Sequence, residues 1–411
     1  MQMYHFGMSY FRNSQIAMLT EQIDIHNFDD IRPFNSEEVP EVIERMLKEP
    51  ALYEMMRFIY PDLGDHDIQE MMREVGTTEE FQTEISGPAF KVIAQTTTNG
   101  LTFSNIDNIK RDEAYLFLSN HRDIILDSAL LNVSLLEMDF PTTQIAIGDN
   151  LLQHNLIKDI VRVNKSFIVN RNFNPKEMLL YSKRLSNYIR YTICEQETSV
   201  WIAHKEGRSK DGDDRTANGL LKMLSSSDQS ISESLKKLNI VPMVVSYEYD
   251  PCDVFKANEL LATRDGGVYE KKKGEDYHSM LKGLTGHKGR INIAVGSKLE
   301  SVLDELPQDK PRNEQIRMLS AEIDRRMHEM YKLWPTNYIA YDLLNGTREY
   351  SMHYSAIQKI AFRNYIRGKA LQLLLARKGI LKREGFMKQA REVLLHMYAN
   401  PVINFRKTEE H

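Results

Sequence analysis

AYLFLSNHRDIILDSALLNVSLLEM, residues 114–138, passes from an apolar run through a polar turn into a second apolar stretch. The first part, AYLFLSN (114–120), reads as a strand, and IILDSALLNVSLLEM (124–138) reads as a helix. The same grammar recurs in both directions along the chain. TQIAIG (143–148), KSFIVN (165–170), TSVWIA (198–203), NIVPMVVSYEY (239–249) and INIAVGS (291–297) read as strands. NPKEMLLYSKRLSNYIRYTI (174–193) and ISESLKKL (231–238) read as helices between them. Alternation of this kind predicts an α/β fold over residues 96–310, with a mainly parallel central sheet flanked by helices. In such sheets chemistry gathers where strands end and helices begin.

Outside that stretch the pattern is helical. A helical N-terminal region is expected over 1–95. In SEEVPEVIERMLKEPALYEMMRFIY (36–60), Val39, Val42, Ile43, Met46 and Leu47 fall at helical spacing. Asp67 is placed to cap a second helix, DIQEMMREV, and TTEEFQTEISGPAFKVIAQ (77–95) reads as a third, broken near Gly87-Pro88. Met46, Met55, Met56, Met71 and Met72 cluster here and suit core filling. A helical, basic C-terminal region is expected over 311–411. It holds PRNEQIRMLSAEIDRRMHEMYKLW (311–334), ended by Pro335, then SAIQKIAFRNYIRGKALQLLLARKG (355–379), stopped by Gly379, then FMKQAREVLLHMYAN (386–400). Residues 264–290 are polar and Gly-rich and read as a long mobile loop.

Composition narrows the classes. The chain has 411 residues, 42% hydrophobic and 27% charged, which excludes collagen-like and wholly disordered proteins. No uncharged apolar run approaches the ~18–20 residues that cross a bilayer. MQMYHFGMSYFRNSQ (1–15) lacks the layout of a signal peptide. Two cysteines, Cys194 and Cys252, make a disulfide framework implausible and fit a reducing compartment. The net charge of −5 is unevenly spread. Residues 1–100 carry 7 Lys and Arg against 18 Asp and Glu, and residues 351–411 carry 12 against 4. An acidic head and a basic tail are ordinary as solvated surfaces, and a basic tail also suits an anionic membrane or an acidic carrier protein.

Four polar blocks follow the strands. In the first, Ser119-Asn120-His121-Arg122-Asp123-Ile124-Ile125-Leu126-Asp127, a histidine stands at the mouth of the sheet with a carboxylate downstream. Asp127 on Nδ1 would leave Nε2 free to take a proton, and a histidine titrating near ~6.5 is a competent base at neutrality. A helix-capping histidine would look the same. The second, Lys165 to Asn172, delivers Arg171 to a loop, where a guanidinium captures phosphate or carboxylate. The third, His204-Lys205-Glu206-Gly207-Arg208-Ser209-Lys210-Asp211-Gly212, offers a turn at Gly207, cations at Arg208 and Lys210, and a hydroxyl at Ser209. DGDD (211–214) lacks the ligand spacing of a calcium loop. The fourth is the apolar strand of residues 239–247, with Pro242 near its start.

Taken in order, these blocks resemble those of the glycerolipid acyltransferase family, which acylates glycerol phosphate and lysophosphatidate. That family shows Asn-His followed by Asp, an Arg after an apolar strand, a Glu-Gly-Arg-Ser type loop, and an apolar strand with proline. The resemblance covers about residues 96–300, and the third block is similar to the glycerol-phosphate branch. It implies direct transfer from acyl-CoA or an acyl carrier protein, with His121 as base and Asp127 orienting it. It implies Arg171, Arg208 and Lys210 on an anionic acceptor head, Glu206, Gly207 and Ser209 in the acceptor loop, and Pro242 shaping the acyl side. Backbone N–H groups at the helix start are the implied oxyanion donors. No metal or other cofactor is implied, and the family's setting is cytoplasmic, peripheral on the inner face of the membrane. A carboxylate-headed amino-acid lipid would equally suit the arginines, and a non-catalytic lipid-binding protein would share the fold. A metal-dependent phosphohydrolase using Asp123 and Asp127 lacks further carboxylates at ligand spacing.

The chain departs from that family pattern twice. The loop has one residue fewer between Gly207 and Arg208, and five residues rather than four separate His121 from Asp127. In a helix starting at His121, Asp127 would lie ~240° past a full turn. Contact therefore requires His121 to Asp123 to be non-helical and the helix to start late, with Asp123 as its N-cap. On that reading Asp127→Asn would cost rate but little stability.

Overall fold

Seven strands form one sheet, in the order β1-β7-β6-β2-β5-β3-β4, in this computed structural model. The structure describes residues 27–152, 154–171, 175–228, 230–272, 274–377 and 383–409. The strands are β1 Leu101–Ser104, β2 Leu116–Ser119, β3 Gln144–Gly148, β4 Ser166–Val169, β5 Val200–Ala203, β6 Ile240–Tyr247 and β7 Ile291–Val295. β6, β2, β5, β3 and β4 are mutually parallel. β7 runs antiparallel to β6, and β1 pairs parallel with β7. The sheet is thus mainly parallel and flanked by helices, as the alternation of runs implies. β1 is an addition. Its residues are mostly half-exposed and include Thr102 and Ser104, so this edge strand carries little apolar signal.

Burial on both faces explains the unbroken apolar runs. Leu116 and Leu118 of β2 point into one core, with Val244, Ile202 and Phe167. Tyr115 and Phe117 point into the other, with Val241, Val245, Trp201, Ile291 and Ile293. The first core also takes Ile316, Leu319, Ile323 and Met327 from the helix Arg312–Met330. The second takes Ile93 and Ala94 from Gly87–Thr97. Both cores therefore run past the boundaries expected at 95 and 311.

The head is helical, with Val39–Met46 and Pro50–Ile59 parted at Pro50. Met46, Met56 and Met72 are buried in its core, whereas Met55 is exposed. The next helix begins at Asp65, and Asp67 accepts the N–H of Gly64 from inside its first turn. The break expected at Gly87-Pro88 is absent. The chain runs through a π-helical turn, Phe81–Ser86, directly into Gly87–Thr97, which accommodates the N–H that Pro88 lacks. The loop expected over 264–290 contains a helix, Glu275–Thr285, entered through Gly274 in the left-handed region. In the tail Arg312–Met330 stops before Pro335, which opens Pro335–Asn345. Ala356–Ala376 follows, and Arg383–Glu409 runs on through Pro401. Gly379 and residues 1–15 lie outside the described residues. Among the described residues no helix is long and apolar enough to cross a membrane.

Candidate active site

The site lies at the carboxyl end of β2. The helix that follows is Leu126–Glu137, and residues 120–125 form a turn before it. Two carboxylates shape that turn. Asp123 Oδ1 accepts the N–H groups of Ile125 and Leu126 at 3.0 and 2.9 Å, in the manner of a cap. Asp127 folds back over the turn, so that Oδ2 meets His121 Nδ1 at 2.9 Å. The same oxygen accepts the N–H groups of Arg122 and Asp123 at 2.6 and 3.0 Å. Its other oxygen accepts the hydroxyl of Tyr247, from β6, at 2.9 Å. Burial, then the charge of Asp127, pushes the Tyr247 hydroxyl well above its ordinary pKa, so it remains a donor. Asp127 is fully buried while His121 stays partly exposed. The imidazole packs edge-on against Trp201 of β5, with centroids 5.6 Å apart.

Neighbouring strands hold the turn. Asn120 bridges to β6, accepting the Val245 N–H at 2.8 Å and donating to its carbonyl at 3.1 Å. Its amide also reaches Asp214 at 3.3 Å, and Arg122 pairs with Asp214 at 2.8 Å. Burial alone would raise the Asp214 carboxyl, but Arg122, His204 and Lys205 outweigh it and hold it down to about 2. Lys256, buried in the helix Asp253–Thr263, donates to the Arg122 carbonyl at 2.7 Å. Gly283, in the helix Glu275–Thr285, lies so close to Asp123 that any Cβ there would strike the carboxylate. Burial, with Asp127 nearby, pushes the Asp123 carboxyl up.

The second and third blocks meet beside this turn. Arg171, beyond β4, pairs with Glu206 at 3.4 Å, and its guanidinium rests over Gly148 at the end of β3. A Cβ at Gly148 would stand 2.7 Å from Arg171 Nε. Glu206 is 76% exposed. Gly207 turns the loop with φ 72°. Arg208 carries a buried Nη1 with no hydrogen-bond partner among the described residues, and its charge acts on Asp123.

Three of the expected contact residues also make contacts within the protein. Ser209 is buried, and its N–H donates to the His121 carbonyl at 2.7 Å, so it pins the loop to the turn. The ammonium of Lys210 is taken by Glu259 of the helix Asp253–Thr263. Pro242 lies buried in β6 at the last rung beside β7, where its carbonyl accepts the Gly296 N–H at 2.7 Å and only the reciprocal bond is forgone. The N–H groups of Arg122, Asp123, Ile125 and Leu126, expected to serve an oxyanion, are spent on the two aspartates. Tyr247, Asn120, Gly148 and Gly283 were not singled out by spacing. The one signal available was position, since Gly148 and Tyr247 each end a strand.

Residues 100–246 match the family model described as Acyltransferase. No curated protein matches the chain. Among solved structures, PlsC from Thermotoga maritima, a 1-acyl-sn-glycerophosphate (LPA) acyltransferase, aligns at 9% identity with a TM-score of 0.35. That alignment covers 70% of this chain and 96% of that one.

Proposed function

We propose, from the match of residues 100–246 to the Acyltransferase family model and the geometry of the site, that the chain moves a fatty acyl group from a thioester to a hydroxyl of an anionic glycerolipid acceptor. The observation that carries the reading is the 2.9 Å contact between His121 Nδ1 and a buried Asp127 whose remaining acceptor capacity is filled. Asp127 fixes the ring with the proton on Nδ1, and Nε2 has no partner among the described residues. Nε2 takes the hydroxyl proton as the acceptor oxygen attacks the thioester carbonyl. The new C–O bond forms, the C–S bond breaks, and the proton passes from His121 to the departing thiolate. The net products are an ester and a free thiol. Asp127 stabilises the imidazolium between the two transfers.

Arg208, with its unpartnered buried nitrogen, and Arg171, held beside Glu206, form the cationic side of the acceptor site. A phosphate entering there would exchange the Arg171–Glu206 contact for its own charge-assisted bonds. Glu206 would then be free for acceptor hydroxyls. Glycerol 3-phosphate or a lysophospholipid is the proposed acceptor, acyl-CoA or acyl carrier protein the donor, and no cofactor is needed. The proposed setting is peripheral, on the inner face of the membrane. Thiol release from an acyl thioester, measured with glycerol 3-phosphate, lysophosphatidate and an amino-acid lipid, tests the reading. His121→Ala should lower turnover by about 10²–10⁴-fold with folding intact. Arg208→Ala should chiefly raise the acceptor KM. A folded His121→Ala protein with near-normal turnover would overturn the proposal.

A further inference from the structure

The helix Ala356–Ala376 has two unlike faces. Phe362, Ile366, Ala370 and Leu373 are buried against the rest of the tail. On the opposite side Ile357, Ile360, Leu371 and Leu375 are 80%, 59%, 47% and 74% exposed. At ~100° per residue these four fall within about 60° of one another, as one stripe along the helix. Asn364 and Gly368, exposed between them, complete it. Four long aliphatic side chains aligned in water are unusual on a closed surface.

Charge decides what would cover that stripe. Residues 351–377 contain five Lys and Arg and no Asp or Glu. Lys369 is committed to Asp253, at 2.8 Å. Arg363 and Arg367 are exposed, flank one edge of the stripe, and have no ion-pair partner among the described residues. An apolar stripe edged by unneutralised arginines complements an anionic bilayer surface, where side chains enter the acyl boundary and guanidinium groups meet phosphates. A second copy of the same face would set arginine against arginine.

The stripe is also tied to the catalytic turn. Its helix is anchored by Tyr365 and Lys369 to Asp253, at the start of the helix Asp253–Thr263. That helix in turn sends Lys256 to the carbonyl of Arg122, next to His121.

We infer that the Ala356–Ala376 helix is a surface-lying membrane dock, with Ile357, Ile360, Leu371 and Leu375 entering an anionic bilayer and Arg363 and Arg367 on its phosphates. The inference deepens the acyl-transfer reading by naming the surface that meets the lipid, and vesicle binding is independent of turnover. Flotation of the full chain with phosphatidylglycerol–phosphatidylcholine vesicles tests it against pure phosphatidylcholine. The wild type should float with the anionic vesicles and weaken as salt rises. L371E/L375E should weaken binding by about ten-fold or more, because charges replace buried aliphatics. R363Q/R367Q should lose most of the preference for anionic lipid. All these positions are exposed, so thermal melting should match the wild type. Absent wild-type binding, or equal binding by L371E/L375E, overturns the dock. So does a wild-type dimer that L371E/L375E dissociates in the absence of lipid. Thiol release with soluble glycerol 3-phosphate and a short-chain thioester separates the two readings. L371E/L375E that fails to float but keeps this turnover supports the dock and leaves the acyl-transfer proposal standing. A wild type that floats yet shows no transfer to any acceptor overturns only the latter.

Discussion

Asp127 carries more than an orienting role, because four donors converge on its carboxylate. The expectation that Asp127→Asn costs rate alone therefore changes. An amide presents N–H groups toward at least one donor, so Asp127→Asn should lose both turnover and stability. Asp123→Ala should lose about 0.5–2 kcal/mol of stability, with a smaller effect on rate, since only the cap to Ile125 and Leu126 goes. Denaturation midpoints and initial rates on both variants check this. Tyr247 is a positioning residue with a separable signature. In Tyr247→Phe the ring still fills its site, but Asp127 Oδ1 loses its donor. Turnover should fall by about ten-fold, the scale of one hydrogen bond to a charged group. The less stabilised carboxylate should hold the His121 proton more tightly, so the acidic limb of the kcat/KM profile should move to higher pH. An unchanged limb would make Tyr247 a packing residue only.

The blocks work together because the elements carrying them end side by side. β2, β5, β3 and β4 are neighbours in one parallel set, so the segments after them emerge at one rim. His121, Glu206, Gly148 and Arg171 follow or end those strands in turn. Gly148→Ala tests the rim directly. The added methyl needs the space of the Arg171 guanidinium and of the Asn150 amide oxygen, both ends of side chains, so the fold should hold while Arg171 is displaced from Glu206. The expected result is an unchanged melting temperature with a raised acceptor KM and an unaltered donor KM. A raised donor KM instead would place the donor, not the acceptor, at this end of the cleft.

Across the whole molecule, buried charge behind the site links stability to pH. His204 is fully buried, and burial lowers its pKa to about 4, despite the neighbouring Asp214. Unfolding restores the ordinary value near 6.5. The unfolded chain therefore binds the extra proton between those values, and stability is lost as pH falls from about 6.5 toward 4. At pH 5 the loss from this group is about 2 kcal/mol. Urea midpoints at pH 7 and pH 5 should show it, and His204→Gln should remove most of the difference. A wild type equally stable at both values would refute the assignment.

Six of the seven strands and the order of the four blocks were legible along the chain, because strands buried on both faces read as short apolar runs and need no partner to be recognised. The late helix start was legible too, since the five-residue gap permits no contact from a helix beginning at His121. Which groups are free to meet a substrate was not legible. Lys210 and the turn N–H groups have the right chemistry, but Glu259, Asp123 and Asp127 already occupy them. Tyr247 is separated from Asp127 by 120 positions. Hydrogen-bond capacity is spent between segments distant in sequence, and only the assembled sheet brings those partners within reach.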